Sequence, residues 1–411
     1  MVGSMDIKDR FLKYVSFWTT SQDGMGVTPS TDRQFALADE LAKELEGLGL
    51  SRVKRDGHCY VYGLLPATEG LEQVKPMGFI AHMDTAQSFS GKDVKPQVIP
   101  DYNGEDVALP GTGDVIKVSD FPHLRSLKGR TLITTDGTTL LGADDKAGIA
   151  AIMTAVAELI KEELPHGDIW IGFTPDEEIG EGADLFDLDY FQADYAYTVD
   201  GDYEGEVAYE NFNAASAHFK IKGVNVHPGS AKNIMVNAAS IACEIQNMLP
   251  VEETPEHTEG REGFYHLEGM HGDVNEAHLD YIVRDHDSGL FEKRQQYLRG
   301  IETELNKKYG AATVTLELKE SYRNMLEVME QNFFVVEQAK EAVKAAGIEP
   351  VSLPIRGGTD GGRLSFMGLP CPNLGTGGYA FHGPKEHVTV EGMEYVVKVI
   401  KGIVQQSVDR A

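Results

Sequence analysis

The sequence predicts an α/β protein: a sheet with parallel strands and crossover helices, into which a ferredoxin-like α+β domain is inserted. Three observations carry that expectation. Four short apolar runs in the first half are each closely followed by Asp, Glu or His. A strongly helical stretch at 147–163 lies between two of these runs, the strand-helix-strand pattern of a parallel sheet. After Glu210 the pattern changes to strand, helix, strand, strand, helix, strand.

Taken in order, residues 6–18 have helical spacing through Ile7, Phe11 and Val15. A second helix is expected from Thr31, where Thr31 and Gln34 form a capping-box pattern. Its core stripe is Ala38, Leu41, Leu45 and Leu48, and Gly47 and Gly49 end it. Residues 59–65 and 77–83 read as strands. Residues 92–110 are rich in Pro, Gly and Asp with little periodicity, and are expected as surface loop and hairpin. In 147–163, Ile149, Ile152, Val156, Leu159 and Ile160 share a face, and Pro165 and Gly167 stop the helix. In the second domain, 217–224, 265–268, 276–284 and 312–320 read as strands, and 237–249 and 288–309 as helices. A helix at 330–346 leads back to glycine-rich loops around 356–361. His382 lies far beyond the insertion. The first domain is therefore expected to be discontinuous, 1–211 with 321–411, around an inserted 212–320.

A length of 411 residues fits roughly two to three domains. The formal charge of −28 argues against nucleic acid and anionic membrane surfaces as partners. Cys59, Cys243 and Cys371 are odd in number and widely spaced, and are expected reduced and buried. No apolar run approaches the roughly 18 residues of a membrane span. Nor does a cationic start with an apolar core mark the N-terminus. Residues 1–4 read as an appended segment with Met5 as the native start. These features predict an acidic globular protein of the cytoplasm.

The chemistry gathers at the ends of the apolar runs. In an extended strand, i and i+2 point the same way, so His82 and Asp84 can face one site. Asp84 could ligate or could orient His82; the plainer alternative is a hydrogen-bonded pair at a strand end. Asp144 and Asp145 are neighbours whose carboxylates diverge. One can bridge two cations while the other bonds to backbone, or either can cap the following helix. Glu177 and Glu178 diverge likewise, so one can ligate while the other takes a proton from water whose pKa a cation has lowered. Asp200 ends a buried run, and His382 follows a glycine-rich backbone able to approach a site closely. Asp176, Glu181 and Asp184 read as an ordinary acidic loop, and Asp202 and Glu204 as solvated. His58, His123, His166, His257 and His387 read as surface or core residues. Imidazole and carboxylate without thiolate suit zinc, manganese or cobalt, in number enough for two ions.

At these residues the chain resembles the M20 metallopeptidases, most closely their aminotripeptidase branch. The matching stretches are AHMDT, LLGADDKAG, TPDEEIGEGA, TVDG, YENFNAASAHFKIKGVNVHPGSAKNIMVNA, IRGGTDG and NLGTGGYAFHGPKEHVTVEGME, spread over nearly the whole chain. The resemblance implies a zinc-peptidase-type mixed sheet flanked by helices, with the inserted domain serving dimerisation. It also implies two Zn2+ per subunit, with Co2+ or Mn2+ as substitutes. His82, Asp144 and Asp200 would hold one ion and Asp144, Glu178 and His382 the other, so that Asp144 bridges. Asp84 would be the supporting catalytic aspartate and Glu177 the general base, with a cis peptide between Asp144 and Asp145. His227, in a His-Pro-Gly segment of the inserted domain, would polarise the scissile carbonyl, in one version from the partner subunit of a homodimer. Arg284 and Arg356 would bind the substrate carboxylate. Ordinary ion pairing is the plain alternative for both, and for Arg284 it points to Asp285 and Asp287.

The implied reaction releases the N-terminal residue of small peptides, chiefly tripeptides with a free amino terminus. A hydroxide bridging two cations would attack the first peptide carbonyl, and Glu177 would pass the proton to the leaving amine. Asp360 and the metal-site carboxylates are the candidates for the substrate amine. Two other readings stand beside it: an M20 amidohydrolase of N-acyl amino acids or dipeptides, and a metal-dependent binding protein without turnover.

Overall fold

The computed structural model of the chain describes residues 5–410, so the reading of residues 1–4 lies outside them. Two compact units are present. One comprises Met1–Tyr209, Glu327–Ser352 and Thr359–Ala411; the other comprises Glu210–Leu326 and Leu353–Gly358. The return point thus lies a few residues later than the sequence suggests, and a short second visit at Leu353–Gly358 joins the inserted unit. Arg356 accounts for that visit. Its guanidinium lies over Phe212 and Phe264 and donates to the carbonyls of Thr258, Gly260 and Glu262.

The first unit is built on a seven-stranded mixed sheet. Its order is Ser51–Arg55, Val61–Leu65, Ile169–Thr174, Met77–His82, Tyr195–Gly201, Asn373–Gly375, Val207–Ala208. Met77–His82 runs parallel to both its neighbours, and Asn373–Gly375 parallel to Tyr195–Gly201. Met77–His82 and Ile169–Thr174 are buried at every residue, which is why they appear as unbroken apolar runs. Parallel strands end at one edge: His82 stands beside Thr174, and Asp200 is near the end of Tyr195–Gly201.

Helix Ala143–Lys161 follows the expected span, but Asp144 and Asp145 have non-helical backbone and a cis peptide joins them. Gly142, at φ +80°, makes the turn into it. Gly148 leaves no room for a Cβ, which would run into the carbonyl oxygen of Val199 and the carboxylate of Asp145. That close approach seats the start of the helix on the strand that carries Asp200.

Several expectations are corrected. The second α-helix begins at Phe35, after a short 3-10 turn at Asp32–Gln34 in which Thr31 holds the N-cap position without making a side-chain capping bond. Thr31 Oγ1 instead donates to the carbonyl of Thr20, and the Gln34 amide donates to Thr31 Oγ1 at 3.3 Å and to Asp176 at 2.7 Å rather than reaching back to the backbone N–H of Thr31. The segment 92–110 is more than surface loop. Gln97–Ile99 pairs with Leu132–Thr134, Val107–Leu109 pairs with Asp114–Ile116, and Tyr102, Leu109, Ile116 and Leu124 share a small core. Three-residue strands are too short to show a period. The helix at 330–346 is two helices, Leu326–Gln331 and Phe334–Ala345. Cys59 and Cys371 are buried, but Cys243 is exposed. Among the described residues, no helix is long and apolar enough to cross a membrane.

The second unit has the ferredoxin-like order. Strands Asn213–Lys222, Phe264–Gly272, Glu276–Asp285 and Val314–Tyr322 form an antiparallel sheet in which Phe264–Gly272 and Val314–Tyr322 are the edges. Alternation sends Phe219, Ile221, Leu279 and Tyr281 into a core shared with Ile241 and Ile245 of helix Ala238–Met248 and Leu298 of helix Ser288–Tyr309.

Candidate metal centre

The first unit brings together seven residues singled out from the sequence: His82, Asp84, Asp144, Glu177, Glu178, Asp200 and His382. Asp144 lies at the middle. Its Oδ1 is 2.9 Å from His82 Nε2 and its Oδ2 is 2.9 Å from His382 Nε2. His82 Nε2 also lies 3.3 Å from Asp200 Oδ1 and 4.0 Å from Glu177 Oε2, and His382 Nε2 lies 3.0 Å from Glu178 Oε2. The donor atoms of His82, Glu177 and Asp200 fall within 4.8 Å of one another, as do those of His82, Asp144 and Glu178. These groupings divide the ligands differently from the sets the resemblance implies. Among the direct contacts, Asp144 turns one oxygen to each imidazole, and the His382 ring meets Asp144 and Glu178.

Neighbouring residues fix this arrangement. Asp84, fully buried, accepts the backbone N–H of Glu177 on Oδ1 at 3.0 Å and that of Glu178 on Oδ2 at 3.2 Å. His82 Nδ1 donates to the carbonyl of Asp84 at 3.0 Å, which leaves Nε2 unprotonated in the neutral ring. Of the two readings for the Asp144–Asp145 pair, Asp145 takes the backbone one: its carboxylate accepts the N–H groups of His82 and Gly148. Thr174 donates to Asp360 at 2.8 Å, and burial pushes that carboxyl up to about 7 against the pull of this bond.

The electrostatics suit a cation. Burial, then the charge of Asp144, pushes Glu178 up to about 7, and burial pushes Asp200 up to about 6. Burial would raise Asp144 too, but hydrogen bonds from His382 and His82 hold it below the ordinary carboxylate range. Bonds to Asp144 and Glu178 raise His382 to about 10. Glu178 Oε1 is buried without a hydrogen-bond partner among the described residues. Such an orphaned acceptor, beside converging carboxylates and two imidazole nitrogens, is what a metal ion would satisfy.

Three residues singled out from the sequence lie in the other unit. His227 is exposed, and its Nδ1 accepts the N–H of Gly229 at 3.1 Å. Arg284 is half-buried with its guanidinium over the ring of Tyr322. Its neighbours are otherwise engaged: Asp285 pairs with Arg294 and Asp287 caps helix Ser288–Tyr309. Arg356 has the carbonyl partners already described.

The sequence reading missed three supporting acids. Asp176 is buried and accepts from Ser30 N, Ser30 Oγ and Gln34 Nε2 at 2.7, 2.6 and 2.7 Å. Glu204 is buried and paired with Arg130 at 2.6 Å rather than solvated. Glu386, also buried, accepts three backbone N–H groups around Asp144. An acid directly before the short buried strand His387–Thr389 was the available signal for Glu386.

Comparison with known proteins places the chain in a family. The model of peptidase family M20/M25/M40 matches residues 136–406. A protein of Caldanaerobacter subterraneus subsp. tengcongensis named Peptidase T is 54% identical over 401 residues, covering 97% of this chain and 98% of its own. Two crystal structures share the fold. Aminopeptidase PepT from Bacillus cereus has a TM-score of 0.78 at 24% identity, covering 98% of each chain. A tripeptidase from Staphylococcus aureus has a TM-score of 0.79 at 22% identity, covering 100% of each. With its mixed sheet, inserted ferredoxin-like unit and clustered ligands, the chain belongs to peptidase family M20/M25/M40 and is a hydrolase.

Proposed function

We propose that this chain is a two-metal aminopeptidase that removes the N-terminal residue of tripeptides. The observation that carries the reading is Asp144, with one carboxylate oxygen on His82 and the other on His382 at equal distances of 2.9 Å. His82, Asp144 and Asp200 would hold one ion and Asp144, Glu178 and His382 the other. When bound, such ions lower the pKa of water to about 7 and polarise a peptide carbonyl.

The chain's own residues supply the rest. Asp84 holds the backbone of Glu177, whose carboxylate takes the proton of the attacking water and returns it to the leaving amine. Asp84 also holds His82 in one tautomer. His227 is assigned to the developing oxyanion, and Arg284 and Arg356 to the substrate carboxylate. Arg284 is the less engaged of the two: its Nη1 donates to the carbonyl of Val283 at 3.3 Å, whereas both Nη atoms of Arg356 are bonded, to the carbonyls of Gly260 and Glu262 and to the hydroxyl of Thr258. The reading includes zinc as the metal, with cobalt or manganese as substitutes, a homodimer built through the inserted unit, and a cytoplasmic location. The tripeptide preference is supported by similarity to proteins named Peptidase T and tripeptidase.

The test is amino-acid release from matched di-, tri- and tetrapeptides, free and N-acetylated, with zinc and with chelator. Chelator-sensitive cleavage confined to free tripeptides is expected. Cleavage of acetylated substrates or dipeptides would move the activity to another branch of the family. No cleavage by metal-loaded protein would remove the peptidase reading.

A further inference from the structure

The second unit carries a histidine arrangement that the peptidase reading does not use. In the antiparallel pair Asn213–Lys222 and Glu276–Asp285, Asp280 stands opposite His218 and His278 opposite Lys220. His218 and His278 are therefore diagonal neighbours. The alternate residues Phe219, Ile221, Leu279 and Tyr281 turn into the core, which puts the histidines on the other face of the sheet. Their side chains are 38% and 19% exposed, so solvent reaches them.

The hydrogen bonds decide which ring nitrogens carry protons. His218 Nδ1 lies 2.6 Å from Asp280 Oδ1, and His278 Nε2 lies 3.0 Å from Glu276 Oε1. An ionised carboxylate only accepts, so both of those nitrogens are the protonated ones in neutral rings. His218 Nε2 and His278 Nδ1 are left with lone pairs, and they face each other at 3.2 Å. Two lone pairs at that distance repel unless an electrophile lies between them. Nitrogens bound at about 2.0–2.1 Å to a tetrahedral ion stand roughly 3.3 Å apart, close to the observed separation. Carboxylates on the far nitrogens are also what fixes the tautomer and raises the basicity of metal-binding histidines.

The surroundings favour a cation. Glu276 and Asp280 flank the pair, and Glu317 stands opposite His218 on the other neighbouring strand. Lys220, opposite His278, is paired with the second oxygen of Glu276 at 2.9 Å. His271 stacks on His278 with centroids 4.8 Å apart and planes 11° apart, which steadies that ring. We propose that His218 and His278 form a surface site for a divalent transition-metal ion of the imidazole-preferring class, with water completing its shell. This site is separate from the Asp144 centre and stands whether or not the peptidase reading does.

The test uses full-length, zinc-loaded protein titrated with Cu2+, with bound copper and retained zinc counted in the same sample. The wild-type chain is expected to take up one copper that His218→Ala and His278→Ala bind at least tenfold more weakly. Its copper spin-resonance spectrum should show two nitrogen ligands. Zinc content and peptide cleavage should be the same in all three. His218→Gln, which keeps a polar side chain on the strand, should lose the copper as His218→Ala does, separating ligand loss from local unfolding. Equal copper uptake by the wild type and both alanine variants would overturn the proposal. So would loss of the same copper in His257→Ala, an exposed histidine outside this cluster.

Discussion

Glu386 Oε1 accepts the backbone N–H of Asp144 at 3.0 Å. Its other oxygen takes the N–H groups of Leu141 and Gly142 at 2.7 and 2.9 Å. One buried carboxylate thus spans the turn that delivers Asp144 to the centre, and burial pushes its pKa up to about 7 against the pull of those bonds. Glu386→Gln keeps the shape but turns an amide toward some of the N–H donors. Metal affinity is expected to fall about 10–100-fold, measured by competition with a chelator. Glu386→Ala should in addition lower unfolding free energy by about 1–3 kcal/mol or more. Unchanged metal retention in Glu386→Gln would limit the residue to folding.

Glu177 can be tested in its proposed role apart from the proposed metal ligands. Its backbone is held by Asp84, so removing its carboxylate should leave the turn in place. Glu177→Ala is expected to keep its metal content and lose about 10²–10⁴-fold in kcat, the usual worth of a positioned general base. Metal analysis and steady-state kinetics on one preparation check both halves. Normal turnover would take the proton-transfer role away from Glu177.

Asp176 ties the same turn to the N-terminal segment. Its backbone is at φ +58°, and its carboxylate answers Ser30 and Gln34. Asp176→Ala leaves those buried donors without an acceptor, at a cost of about 1–3 kcal/mol in stability. The Glu177 turn should loosen with it, giving a drop in kcat with metal content unchanged. Asp176→Asn, which retains one acceptor, should fall between. Thermal unfolding and kinetics read the two effects separately.

These supporting acids show where sequence reasoning stops. His82 and Asp200 are legible because a buried parallel strand is a continuous apolar run, and its carboxyl end is where the run gives way to a polar residue. The second unit is legible for a related reason: Ala277, Leu279, Tyr281 and Val283 alternate inward over one long strand. Glu386 and Asp176 carry no such period. Their partners, which include backbone N–H groups 242 and 146 residues away, are distant in sequence, and no local spacing says which buried acid answers which donor. The Thr31–Gln34 pattern misleads for the same reason. The tertiary demand of Asp176 outweighs the local capping bond. Arg356 reads as part of the catalytic loops by sequence proximity, yet aromatic faces and carbonyls at 258–262 draw it into the inserted unit.

His387 is a core histidine whose neutrality should be visible in the acid stability of the fold. Its Nδ1 donates to the carbonyl of Lys385 at 2.7 Å, so its Nε2 accepts from His123 Nε2 at 2.9 Å. Protonating His387 would turn N–H against N–H in a buried place, and burial pushes its pKa down from 6.5 to about 4. His123 is lowered by burial as well. A depressed histidine pKa means that the unfolded chain takes the proton first. Stability from this group is therefore fully present above about pH 6.5, falls as pH drops below it, and is gone near pH 4. The gap corresponds to about 3 kcal/mol. His387→Phe keeps a ring beside Tyr379 and Phe121 but cannot take the proton. Its unfolding free energy, measured with denaturant from pH 7 to pH 4, should decline less steeply than that of the wild-type chain. The two curves should converge by up to about 3 kcal/mol at the acid end. Parallel curves would mean that His387 is already charged in the folded state, and that the pairing with His123 runs through a shared proton.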